Sequence, residues 1–543
     1  MPGRRWILIS VVLGSGIVFL DSTIVPVVLP KIGNELSSTL LGKLEAQSYV
    51  YYGYLLALSA LLILAGALTD FLGRRRMFAL GLVGFGLTSL LCGLAVNMEF
   101  LVVARVLQGA AGALLVPGSL AIITASFDGE EQGRAFGIWA GASAATTILG
   151  PVVGGALVTY VSWRMAFLVN LPLVAVALWA TLKHVPESRD ESATGRFDWL
   201  GALVVALAVG GLTVGAIRGE SEQWQDGSAF VALAIGGLAA VAWPVLMARS
   251  SHPLVPLSLF KSRNFTVTNI STLLIYGSIY VTIQFLALFS IGTIGYNEIG
   301  FALATIPSTV FLALFSTRFG ALADRYGPRV FMSAGPALMG LGLLWYVRTP
   351  SGSAPWSAEL GDLSTLVPPA DYVIHFLPGQ ILFGLGLMVM VAPLTTALMR
   401  SVPVEHSGVA SAFNNAVSRV GPQLAGALIF IAVSASFFAA LQTRMPEVDV
   451  SSSQVRDEVS PLNAPSSSAG DELVAASRQA STDAFHIAML ISAGLCFGGA
   501  LVNSLGISNR DAKQREGQEE KREAVTPCPQ VPPLEAPSRA EVT

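Results

Sequence analysis

WILISVVLGSGIVFLDSTIVPVVL, residues Trp6 to Leu29, is apolar almost throughout and carries one charge, Asp21. About 20 apolar residues suffice to cross a bilayer core as an α-helix. In hydrocarbon only helices or closed barrels satisfy every backbone N–H and C=O. Runs of the same kind follow nearly back to back, at 47–68, 77–96, 100–126, 134–160, 165–182, 198–217, 229–248, 265–291, 298–319, 329–347, 372–399, 408–438 and 484–505. Together they make fourteen expected spans and predict an all-α polytopic membrane protein. The first run is too long for a signal-peptide core and lacks a small-residue cleavage site, so it reads as the first span.

Composition agrees. Hydrophobic residues make up 53% and charged residues 12% of the chain, against about 25% charged in soluble domains. A net charge of −3 points to no nucleic-acid partner. Cys92, Cys496 and Cys528 have no metal-ligand spacing, and two of them sit in apolar runs, which argues against a disulfide framework. The five histidines, His184, His252, His375, His406 and His486, fall at span ends or in loops. No Ser–His–Asp set, metal cluster or phosphate loop is present, so the chain does not read as an enzyme.

Lys and Arg set the orientation. With the N-terminus inside, 22 of the 32 basic residues fall in inner segments, among them Arg4, Arg5, Arg74 to Arg76, Arg134, Arg325, Arg329 and the six of the tail. That bias places both termini in the cytoplasm. The loop near 442–482 then lies outside; it either caps the outer mouth or is simply solvated, and its Ser-rich composition favours the second.

An internal repeat organises the spans. GALTDFLGRRR from Gly66 and GALADRYGPRV from Gly320 each follow the second span of a set, and ILGPVVGGAL from Ile148 pairs with RVGPQLAGAL from Arg419 in the fifth. One shared Gly-rich string is ordinary helix packing; two in matching positions indicate a repeat. The expected units are a six-helix bundle over 1–196, two inserted helices over 197–250, a second six-helix bundle over 251–505, and a disordered tail over 506–543. Transporters are often built this way, with the substrate near the midplane between halves.

At these strings the sequence closely resembles the major facilitator superfamily, in its fourteen-helix drug:proton antiporter branch. The resemblance rests on LDSTIVPVVLP (Leu20–Pro30), GALTDFLGRRR, RVLQGAAGALLVPGSL from Arg105 and GPVVGG from Gly150, with SWRMAFLVNLP from Ser162 and FDWLG from Phe197 in support. It covers nearly the whole chain up to the tail. One departure is Pro26, where the family's first helix usually has Asn. The resemblance implies the major facilitator fold, alternating access and export of small amphipathic or drug-like compounds from the plasma membrane. It implies a proton gradient as energy source and no cofactor. The expected partners are lipid, protons and a small-molecule substrate, acting on a monomer.

Candidate residues follow. A mid-helix carboxylate costs about 2.5–3.5 kcal/mol to insert, so Asp21 must line a cavity or pair. It lies roughly 22 Å along its helix from Trp6, at a depth similar to Arg105 of the oppositely running fourth span. Burial favours the protonated acid and a nearby guanidinium the ionised one. Motion that separates the two therefore makes a proton-coupled switch; the plainer alternative is a static ion pair. Arg105, Gln108 and Gly112 share one helical face, and Gln108 is either substrate-binding or part of a packing seam. Gly66, Asp70, Gly73, Arg74 and Arg75 form a cytoplasmic loop that the resemblance makes a gate, with Asp324 and Arg329 as its weaker copy. Gly150, Pro151, Gly154 and Gly155 imply by resemblance an antiporter motif, and by chemistry alone a bent, close helix contact.

The ninth span carries a polar stripe, Asn269, Thr272, Tyr276, Tyr280 and Gln284, at helical spacing. Tyr276, Tyr280 and Gln284 are expected to face substrate, or else to be satisfied core. Aromatic faces suit lipophilic cations. Asn414, Asn415 and Arg419 of the thirteenth span complete the candidate set, Arg419 as a second cavity cation or a snorkelling one. One-for-one exchange of a proton for a monovalent cation moves no net charge and uses only the pH term, about 1.4 kcal/mol per unit. The scarcity of carboxylates within spans favours neutral or monovalent cargo. Export of a self-made metabolite or antibiotic on the same fold is the alternative, and a transporter-like receptor without flux a remote one.

Overall fold

The apolar runs fold as long helices. The structure, a computed structural model, describes residues 2–127, 129–188, 198–222, 224–250, 257–402 and 407–509. The first bundle comprises α1 (Pro2–Glu35), α2 (Lys43–Leu72), α3 (Arg74–Gly93), α4 (Met98–Gly112) continued by α5 (Leu115–Ser126), α6 (Gly129–Tyr160), and α7 (Met165–Leu168) continued by α8 (Asn170–His184). Next come α9 (Trp199–Ser221) and α10 (Gly227–Arg249). The second bundle comprises α11 (Arg263–Ala287), α12 (Glu298–Tyr326), α13 (Pro328–Tyr346), α14 (Leu377–Arg400), α15 (Ser407–Arg444), the short α16 (Ser453–Glu458) and α17 (Asp471–Gly506). No β-strand occurs among the described residues. All these helices belong to one unit, Met1–Ile507; Ser508–Thr543 form a second, of which residues 510–543 lie outside the described set.

Ten of the helices are long and apolar enough to cross a membrane, counting described residues only. Their outer faces carry exposed Leu80, Val83 and Leu87 on α3, Val103 and Leu107 on α4, and Leu238 and Val241 on α10. Such faces on a water-exposed surface would aggregate; in hydrocarbon they are solvated. Pro26 and Pro30 leave α1 unbroken, as neighbouring helices in a bundle allow.

Packing repeats between the bundles. The first helix lies against the fifth and sixth: α1 on α6 and α8, α11 on α15 and α17. The second lies against the fourth, α2 on α4 and α12 on α14, and the third against the fourth and sixth. Of the inserted pair, α9 packs against both α2 and α15, and α10 packs on α9. Arg218 fixes α9 to α2, donating to the Leu40 carbonyl at 2.9 Å and to Glu45 at 3.4 Å while pairing with Asp226 at 3.0 Å.

The segment between α15 and α17 corrects one expectation. Its Ser-rich composition favoured solvation, yet Val459, Leu462 and Asn463 are buried. Gln47 of α2 and Asn463 exchange amide hydrogen bonds at 2.8 and 3.0 Å, and the Leu462 amide donates to the Ser481 hydroxyl at 3.1 Å. Leu462 holds φ at +62°, a left-handed conformation that a branched side chain adopts only when its surroundings impose it. The composition average missed this because a few apolar residues within a polar loop carry the docking.

Candidate functional site

Asn97 caps α4 by accepting from the Phe100 amide at 2.8 Å, and this sets the rotation of the face that follows. Arg105 Nη1 donates to Asp21 Oδ2 at 2.5 Å and to Gln108 Oε1 at 2.6 Å; Nε donates to the Val50 carbonyl at 3.1 Å. The guanidinium lies 4.1 Å from the Tyr54 ring centroid and 5.7 Å from that of Phe167. Gln108 Nε2 donates to Asp21 Oδ1 at 3.2 Å and to Ser89 Oγ at 2.7 Å, and Asn170 Nδ2 donates to the same hydroxyl at 3.2 Å. Asp21, Ser89, Arg105, Gln108 and Asn170 are all at 0% exposure. Ions taken out of water cost several kcal/mol each unless charge and hydrogen bonds compensate. Five helices, α1, α2, α3, α4 and α8, supply that compensation. Ser89 and Asn170 were not singled out from sequence; a polar residue inside an apolar run was the only signal.

Beside this cluster lies a cavity of about 400 Å³ between the bundles. Phe19, Ser22, Thr23 and Val27 of α1 and Pro151 of α6 line one side; Tyr276, Tyr280, Phe301, Thr305, Ser308, Gln380 and Phe383 are among those lining the other. None of the described lining residues is charged. Of the stripe on the ninth span, Tyr276 and Tyr280 line this cavity. Other candidates lie elsewhere. Gln108 belongs to the buried ion-pair cluster. Asn414 donates to Asn269 at 3.0 Å and to Thr272 at 2.9 Å, joining α15 to α11. The Gln284 amide is buried with no partner among the described residues, off the described cavity wall, and Asn415 is half-buried off it too. Gln380, on α14, carried no sequence signal.

Gly73 joins α2 to α3 at φ +112°, and its repeat partner Gly327 joins α12 to α13 at φ +87°. Both lie in the range that favours glycine, so the two shared strings make the same turn. Beyond Gly73, Glu187 accepts from the Arg75 amide at 3.2 Å and faces Arg76 at 3.5 Å; Arg75 also donates to the Leu182 carbonyl at 2.7 Å. The Arg74 amide donates to the Ser188 carbonyl at 2.9 Å. The loop is therefore strapped to the end of α8. Arg329 is exposed at the start of α13. Gly66 and the side chains of Asp70 and Asp324 lie outside the described residues.

The Gly150 motif faces two ways. Gly150 and Gly154 lie against Thr23 and Ile24 of α1, whereas a Cβ on Gly155 would stand 2.6 Å from the Glu298 carbonyl of α12, in the other bundle. Around this crossing the Thr159 hydroxyl donates to Glu298 at 3.4 Å and the Leu360 amide to the Tyr160 hydroxyl at 2.8 Å. The Gln47–Asn463 pair lies on the same side. The bundles are thus closed together on the Glu298 side of the cavity, opposite Gly73 and Gly327. On α15, Gly426 lies against the ring of Tyr52 of α2, and the Gln423 amide faces the Tyr52 carbonyl and Leu56 amide at 3.2 and 3.0 Å.

Solved structures share the fold at low identity. A bacterial homologue of the human lysosomal transporter Spinster matches with a TM-score of 0.61 at 16% identity, covering 95% of this chain and 98% of its own. The peptide transporter PepTSo matches with a TM-score of 0.61 at 13% identity, covering 95% and 99%. Among curated proteins, the multidrug resistance protein Stp of Mycobacterium tuberculosis is 34% identical over 81% of this chain and 77% of its own. The tetracenomycin C resistance and export protein of Streptomyces glaucescens is 31% identical over 79% and 76%. The puromycin resistance protein of Streptomyces alboniger is 32% identical over 79% and 81%. Residues 11–427 match the Major Facilitator Superfamily as a whole. With the repeated bundles, the cavity between them and these relatives, the chain belongs to the Major Facilitator Superfamily of membrane transporters.

Proposed function

We propose that the protein is a proton-coupled antiporter that exports small amphipathic, drug-like compounds across the plasma membrane by alternating access. In this reading the chain crosses the bilayer fourteen times with both termini and the Gly73 side in the cytoplasm. The observation that carries it is the Asp21–Arg105 pair, sealed from water directly behind cavity-lining Ser22 and Thr23. A proton on Asp21 removes the charge that balances Arg105, and an unbalanced buried guanidinium is strongly unfavourable. Protonation therefore favours a rearrangement of α1 against α4 that hydrates or re-pairs the cation. Because α1 also lines the cavity, cargo and proton act on one element. The Gly150 motif, touching α1 and α12 at once, is where such a shift reaches the other bundle. The Gly73 loop strapped to Glu187 serves as the cytoplasmic gate.

Relatives named for drug resistance support export. One named for both tetracenomycin C resistance and export favours, as a second reading, an endogenous metabolite or antibiotic as cargo.

The test is Asp21→Asn in proteoliposomes. Asparagine keeps an acceptor for Arg105, so the protein is expected to fold and to exchange substrate down its gradient, while proton-driven accumulation falls to the protein-free level. Undiminished uphill transport by this variant would end the reading.

A further inference from the structure

The polar groups of the cavity wall are not equivalent. The Ser22 hydroxyl donates to the Val18 carbonyl at 2.7 Å, and the hydroxyls of Thr305, Ser308 and Thr309 donate to the carbonyls of Ala302, Thr305 and Ile306, each at 2.9 Å. Each of these is satisfied by its own helix. Gln380 differs. It lines the cavity at only 3% exposure, yet its side-chain amide makes no hydrogen bond to any described residue. With Phe383, Leu387 and Val391 it falls at i, i+3, i+7 and i+11, one face of α14, and all four line the cavity. Whatever fills the cavity strips this amide of water, and a buried amide left unpaired is costly. A ligand therefore binds well only if it returns the hydrogen bonds it displaces. An amide presents a donor and an acceptor side by side, so the matching ligand edge presents an acceptor beside a donor.

We propose that Gln380 sets cargo specificity: its amide pairs with a donor–acceptor edge, such as a lactam or a hydroxy-ketone, on a neutral polycyclic aromatic compound. This rests on reading the cavity as the transport site, and it narrows the cargo by charge and by edge chemistry. Phe19, Tyr276, Tyr280, Phe301 and Phe383 supply ring faces from both bundles. The volume of about 400 Å³ is at the compact end of small-molecule sites, about 300–1,000 Å³. A cation placed there meets ring faces but no carboxylate among the described lining residues to replace its water. Arg419 of α15 is buried without a counter-charge among the described residues, but it is off the described wall, so no described charge of either sign meets the cargo. A neutral compound leaving as one proton enters carries one positive charge inward, so the pH gradient and the membrane potential both drive the exchange.

Phenanthridinone, phenanthrene and N-methylphenanthridinium share one three-ring frame; the first is a lactam, the second has no polar edge and the third is a cation. Equilibrium dialysis of the purified full chain in detergent against matched protein-free micelles corrects for partition into detergent. Phenanthridinone is expected to bind at least about tenfold more tightly than either of the others. Gln380→Met keeps the volume and removes the amide; it should weaken phenanthridinone by about tenfold and leave phenanthrene unchanged or tighter. The melting temperature of the empty protein should not fall, because the amide holds no described partner; a glutamine that merely braced α14 would lower it and weaken all three ligands alike. The proposal is overturned by that second pattern. It is also overturned if the native protein binds phenanthridinone and phenanthrene equally, prefers the cation or binds none of the three. Should Gln380→Met fail to fold by gel filtration, the native preference and Gln380→Asn, which draws the amide back and should lose part of that preference, still decide. Flux in proteoliposomes then separates the two readings. Lactam-selective binding through Gln380 without flux of any of the three removes the transport reading and leaves this site. Proton-driven flux of the cation without preference for the lactam does the reverse.

Discussion

Donors from α4 meet both carboxylate oxygens of the buried Asp21, Arg105 on one and Gln108 on the other. Gln108 therefore acts twice, accepting from the guanidinium and donating to the acid and to Ser89. Gln108→Leu fits the volume but leaves Asp21 Oδ1 without its donor and takes one acceptor from Arg105, while the Ser89 hydroxyl keeps only Asn170. Buried groups left unpaired cost about 1–3 kcal/mol, so thermal unfolding in detergent should shift down by several degrees. An unchanged melting temperature would mean the network is not bonded as described. Asp21 and Arg105 were legible as a pair because each breaks the apolar rule and residue counting sets their depths. Ser89 and Asn170 were not, since a hydroxyl in a helix is often satisfied by its own backbone, as Thr88 is by the Gly84 carbonyl at 2.7 Å.

At the scale of elements, the Gly150 string was legible as a close contact, but the faces it meets were not. Helical spacing says that Gly150 and Gly154 share a side; it cannot say that Gly155 meets the carbonyl of Glu298 across the bundle boundary. Gly155→Leu inserts a side chain where not even a methyl group fits, so α6 and α12 must part on the Glu298 side. Ile299→Cys, at a position buried against Gly155, should then react several-fold faster with a membrane-impermeant maleimide in that background than in the native background, with transport reduced. Equal labelling rates would show that the two helices are not held at this point. The α2–α3 turn differs, because the shared strings GALTDFLGRRR and GALADRYGPRV already implied one element in both places. Its strap to Glu187 lay beyond reach, as nothing in the loop sequence names the acid it meets.

Across the whole molecule, alternating access requires the contacts on the Glu298 side to break in each cycle. Gln47 and Asn463 are far apart in sequence, bonded to one another and close to the bundle boundary. Tying them should stop turnover. In a Cys528→Ser background, a Gln47→Cys, Asn463→Cys protein treated with a short bifunctional maleimide is expected to lose nearly all transport, while the Gln47→Cys and Asn463→Cys proteins treated alike each keep it. Cys92 and Cys496 are buried and do not compete for the reagent. Full activity of the cross-linked protein would place the moving boundary elsewhere.

Sequence by itself determined the helical membrane class, the repeated bundles, the turn glycines and the presence of one acid and one base at similar depth. These are periodic or compositional properties, and hydrocarbon punishes their violation so strongly that few alternatives survive. Only the tertiary structure decided which partners the polar residues take. It turned Gln108 toward Asp21 and not the cavity, folded a serine-rich loop against α2, and left Arg419 without a counter-charge among the described residues. Such outcomes depend on helix rotation and on contacts between distant segments, where a few degrees or one glycine sets which side chains meet, and neither is encoded in local pattern.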